Sequence, residues 1–156
     1  MAETNSLLNC RTGYSVPGVR IPPSPQELQG RAWQVVFPPD FMFDFEKLEV
    51  YQIAKGVVTD SLKIIYSNAA LDTYIKEQWK KASMDILLNL AEGTGRMTNA
   101  DKKHYITISR SAVFECVTIL QILGETGGLP LTEAQGLYER YEKISKMLLG
   151  MYRSHE

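Results

Sequence analysis

The sequence predicts an all-α fold: an antiparallel up-and-down four-helix bundle preceded by an extended proline-rich arm. Three observations predict it. From about Asp44 onward, apolar residues recur at helical spacing in four blocks; short connections separate the blocks; and six of the seven prolines precede them. With 156 residues, 44% of them hydrophobic, the chain is long enough to bury one core.

Residues 1–43 carry Pro17, Pro22, Pro23, Pro25, Pro38 and Pro39, each lacking a backbone donor, so the segment is read as an arm and not a helix. Its one strand-like run is Arg31–Phe37, RAWQVVF. Trp33, Val35 and Phe37, with Val36, are its expected anchors onto a bundle groove of the same or a neighbouring subunit, with Val19 and Ile21 a second contact; pairing of the arm strand with another strand is the alternative. Residues 44–156 form the bundle.

The first helix is expected over about 45–66, with Leu48, Tyr51, Val58, Leu62 and Ile65 in one stripe, Asp44 as cap and Phe43 stapled to Leu48. The second, about 71–91, aligns Ile75, Trp79, Ala82 and Ile86. The third, about 99–126, aligns Tyr105, Ile108, Ala112, Cys116, Ile119 and Leu123, with Thr98 as cap and Gly127, Gly128 and Pro130 as the stop. The fourth, about 133–153, opens on a Thr132-x-x-Gln135 capping box and aligns Leu137, Tyr141, Ile144, Leu148 and Met151. Near-heptad steps favour shallow packing angles. Second apolar rows, Val50, Ile53, Val57 and Ile64 on the first helix and Ile106, Val113 and Val117 on the third, are read either as a broad core stripe with scattered exposed apolar residues or, the favoured reading, as a further buried face against another copy of the chain.

The formal charge of −1 gives no global nucleic-acid signal, so such binding needs a local patch. One is present in sequence. Lys76, Lys80, Lys81, Arg96, Lys102, Lys103 and Arg110 outnumber Glu77, Asp85, Glu92 and Asp101 on the second and third helices and their connection. These cations are the candidate nucleic-acid-binding residues. A solvated surface is the other reading of them.

The connection Asn89-Leu90-Ala91-Glu92-Gly93-Thr94-Gly95-Arg96 is the densest feature. It is read as a structural turn in which Asn89, Glu92 and Arg96 bond to one another or to backbone, while Gly93 and Gly95 permit positive φ or close approach. It follows a helix, not a strand, so it is not a phosphate loop. Glu92 and Glu115 are the candidate carboxylate pair for acid–base or di-iron work. Neither His104 nor His155 follows a glutamate by three, and a buried Glu115 bonded to Ser111 is preferred. Cys10 and Cys116 fit no zinc or disulfide pattern, and Cys116 reads as a small core residue. No catalytic residue, metal or cofactor is expected. The polar start is no signal peptide and the continuous apolar runs are too short to span a membrane, so a cytoplasmic protein is expected.

Four motifs carry a family resemblance. Leu48-Glu-Val-Tyr-Gln-Ile-Ala54, Gln78-x-Lys80-Lys81-Ala82, Asn89-Leu-Ala-Glu-Gly93-x-Gly95-Arg96 and Ser109-Arg-Ser-Ala-Val-Phe-Glu115 resemble, in order and spacing, those of the 23S rRNA intervening-sequence proteins. Asp85 and Leu87 stand where that family often has Ser and Pro, and the arm is outside its usual pattern. The resemblance implies an antiparallel bundle and a ring of five subunits. It also implies a distant link to retroelement accessory proteins that bind a reverse transcriptase and nucleic acid. The expected function is a non-enzymatic homo-oligomeric adaptor contacting RNA, DNA or an enzyme acting on them. The alternative is a structural or protein-binding module without nucleic-acid contact.

Overall fold

The computed structural model describes residues 43–155. Residues 1–42 of the arm, with its expected anchors Trp33, Val35 and Phe37, lie outside the described residues. A short 3₁₀ turn, Asp44–Lys47, leads into α1 (Glu49–Ser67), α2 (Thr73–Thr94), α3 (Asn99–Glu125) and α4 (Leu131–Arg153). Each helix packs on its chain neighbour, α1 closes on α4, and the backbones of diagonal helices stay apart, which is the up-and-down square the spacing predicts.

The helix starts show which end signals operate. Asp72 caps α2 by accepting from the Tyr74 and Ile75 amides at 2.9 and 3.3 Å. Thr98 caps α3 by accepting from the Asp101 amide at 3.1 Å. Two expected caps fail. Asp44 opens the 3₁₀ turn and pairs with Lys47 at 3.0 Å, so α1 begins after Leu48 without a side-chain cap. Phe43 stacks on Phe45 with centroids 5.6 Å apart. The Thr132 capping box does not form, because α4 starts two residues earlier: the Pro130 carbonyl accepts from the Glu133 and Ala134 amides at 3.0 Å, and Gln135 donates to Glu139 instead. Gly127 has φ +72°, the left-handed conformation that ends α3 and that a Cβ would disfavour.

The core runs the length of the bundle around Trp79, Tyr141, Ile86, Leu90, Ile106, Leu120, Ile144 and Leu148. It absorbs the second rows. Val50, Val57, Ile106 and Val113 are buried in it, and Ile53, Ile64 and Val117 pack against it. Those rows therefore do not form a separate face for another subunit. The bundle stripe is broad because each helix sits in the corner of a square and touches two neighbours. By length and composition alone α3 could cross a membrane, but its apolar residues Ile106, Val113, Leu120 and Leu123 here supply the core. Buried hydroxyls thread the centre: Ser61 Oγ lies 2.8 Å from Tyr141 Oη, Ser83 Oγ 3.6 Å from Cys116 Sγ, and Ser109 Oγ donates to the Ile86 carbonyl at 2.8 Å. Burial pushes the Cys116 thiol up to about 11, so it stays protonated in the core.

Candidate nucleic-acid interface

The Asn89–Arg96 motif is not a loop. Its first six residues are the last turns of α2, and the chain leaves the helix only at Gly95, whose φ of −76° needs no glycine. Helical pattern was misread as connection because two glycines so close together suggest a turn. Gly93 serves close approach instead. A Cβ there would stand 3.0 Å from Tyr105 Cβ, so the missing side chain lets α2 and α3 meet. Gly93→Val is expected to destabilise the fold by about 1–3 kcal/mol through overpacking. Gly93→Ala should be near neutral, since the gain of about 1 kcal/mol in helix propensity offsets the clash. Denaturant midpoints of the two variants check this; equal midpoints would refute it.

Beside that contact, the Arg96 guanidinium binds the Glu92 carboxylate and donates to Tyr105 Oη at 2.6 Å, with Cζ 4.5 Å from the Tyr105 ring centroid. Asn89 donates to the Asp85 carbonyl at 2.8 Å. The trio ties the end of α2 to the start of α3. Tyr105 and then Arg96, bonding to it, hold the Glu92 carboxyl below the usual carboxylate range. A lowered folded-state value gives stability that is present above the unfolded-state value and lost as pH falls through the folded one. Glu92 is solvent-exposed, so the contribution is small. Glu92→Gln should leave the neutral-pH thermal midpoint unchanged or slightly lower, with the gap to wild type closing in acid. A gap that widens in acid would contradict this role.

Register separates the other candidates. Gly93 packs on Tyr105 and Ser83 on Cys116, so each step forward along α2 is a step back along α3. Glu92 therefore stands level with Thr107, eight residues from Glu115, or about 12 Å along α3. Both side chains are exposed, and Ser111 Oγ donates to the Thr107 carbonyl, so neither the shared carboxylate site nor the buried Glu115 is found. By the same register Lys80 lies level with Ile119, sixteen residues from Lys103, or about 24 Å. The seven cations thus form two groups. Lys76, Lys80 and Lys81 ride the first half of α2. Lys102, Lys103 and Arg110 ride the first half of α3, with Arg96 at its entrance.

The α3 group is organised by aromatic rings. Lys103 Nζ lies 4.8 Å from the Tyr152 ring centroid, and Arg110 Cζ 4.8 Å from that of Phe114. Arg110 Nε donates to Ser145 Oγ at 3.2 Å, which fixes the guanidinium between α3 and α4. Among the described residues, Lys102, Lys103 and Arg110 pair with no carboxylate; Asp60 takes Arg140 and Lys63, and Glu142 takes Lys146. Sequence reading missed Phe114, Ser145 and Tyr152. An (i, i+4) spacing from Arg110 to Phe114 was the available signal, whereas Lys103 and Tyr152 meet only through the α3–α4 fold.

The sequence profile described as 23S rRNA-intervening sequence protein matches residues 46–150, which span all four helices. None of the curated proteins matches the chain.

Proposed function

Because the chain belongs to the 23S rRNA-intervening sequence protein family, we propose that it is a non-enzymatic, homo-oligomeric cytoplasmic adaptor. It contacts nucleic acid, or an enzyme acting on nucleic acid such as a reverse transcriptase, through the first half of α3. The observation that carries this reading is a group of α3 cations, Lys102, Lys103 and Arg110, that pair with no carboxylate among the described residues and two of which are seated on aromatic rings. Such cations replace counterions on a phosphate backbone. In a ring the group recurs around the axis and its field adds, which lets a chain of net charge −1 hold a polyanion. A gel-shift titration with structured RNA at increasing salt tests this reading. A complex that weakens steeply with salt supports it, and no complex at low salt refutes it.

Assembly is the second half of the proposal. With the second apolar rows buried in the bundle, support comes from side chains left outside it. Ile122, Leu131 and Tyr138 are 48%, 73% and 38% exposed on α3 and α4. The subunit number of five rests on the family resemblance. Light scattering at micromolar concentration is expected to give a closed multimer; a monomer mass would end this half of the proposal. The same exposed side chains favour the alternative, a protein-binding module without nucleic-acid contact, and the gel shift separates the two.

A further inference from the structure

We propose that the groove between the first half of α3 and the last turns of α4 takes unpaired nucleotides, stacking bases beside Tyr152 and Phe114 and holding phosphates with Lys103 and Arg110. This rests on the nucleic-acid reading above and narrows it to one face and one class of strand. The groove holds a depression of about 260 Å³ with Ile106 and Leu149 among its lining and the Ser111 hydroxyl beside them. No carboxylate lines it, so its charge complements a polyanion. The Arg110 Nε–Ser145 bond leaves the terminal amino groups of Arg110 without a protein partner among the described residues. Lys103 and Arg110 are seven residues apart, about 10 Å along α3, so both can reach one strand's backbone.

Rings and cations in one groove select against a duplex. Paired bases keep their faces stacked on each other, whereas an unpaired base offers a π face to an aromatic ring or a guanidinium plane. Phosphate attraction alone would not discriminate between them.

The test is fluorescence anisotropy of the full chain with a short labelled unstructured RNA and with the same strand annealed to its complement. Wild type is expected to bind the single strand about tenfold or more tightly than the duplex. Tyr152→Ala and Phe114→Ala should each weaken single-strand binding by roughly 5- to 150-fold, the equivalent of stacking one base. Tyr152→Phe, which keeps the ring, should bind as wild type does. Lys80→Gln, on the other cation group, should leave single-strand affinity within about twofold. Helical circular dichroism confirms that each variant folds. Equal affinity for both RNAs with the ring variants unaffected overturns the inference while the nucleic-acid reading stands. Failure to bind either RNA overturns both. Ring variants that change the oligomer mass and not the RNA affinity would show that the groove seats another copy of the chain, which also overturns it.

Discussion

Trp79→Ala is expected to lower folding stability by about 3–5 kcal/mol, the range for deleting a large buried aromatic. Trp79 is 0% exposed and the largest side chain in the core. Total stability of a domain is about 5–15 kcal/mol, so the loss takes roughly a fifth to the whole of it. Its indole Nε1 adds a second expectation. That N–H is buried without a partner among the described residues, and an unmet buried donor costs about 1–3 kcal/mol. Trp79→Phe removes the orphan donor along with part of the volume, so it should lose clearly less than Trp79→Ala. Guanidinium unfolding followed by helical circular dichroism measures both. An unchanged midpoint for Trp79→Ala, or equal losses for the two variants, would contradict this account of the core.

The second large effect is on binding. Replacing Lys102, Lys103 and Arg110 together by Gln is expected to abolish most RNA affinity at moderate salt. Each lost phosphate contact should make the salt dependence shallower by about one unit of log affinity per log salt. The three cations form no ion pair among the described residues, so their loss should spare folding. Replacing Lys76, Lys80 and Lys81 instead should cost less, because that group is offset along the bundle axis, by about 12 Å between Lys81 and Arg110 and about 30 Å between Lys76 and Lys102. Equal losses from the two triple variants would place the interface elsewhere or spread it over the whole surface.

The helices were legible because burial imposes a period. Ile75, Trp79, Ala82 and Ile86 repeat at steps of four and three, and Trp79, Ala82 and Ile86 are buried as that repeat predicts. Helix ends were legible only where one residue decides them. Thr98 and Gly127 act locally, whereas the α1 and α4 starts depend on competing turns at Asp44–Lys47 and Pro130. The breadth of the core was not legible. Nothing in a single helix tells whether Val57 or Val113 faces a chain neighbour or another subunit; that depends on where the other three helices stand. The candidate site was half legible for the same reason. The basic residues can be counted in sequence. Their division into two groups follows from helix register, and the pairing of Lys103 with Tyr152 from the closure of α4 on α3.

The central claim is contact with a polyanion through the cations of α3. Its most direct measurement is the affinity of the protein for RNA across a series of salt concentrations. The account predicts a straight line of log affinity against log salt with a slope of about −2 or steeper for wild type, from three phosphate contacts at roughly 0.7–0.9 each. A flat line, or no binding at the lowest salt, would contradict it.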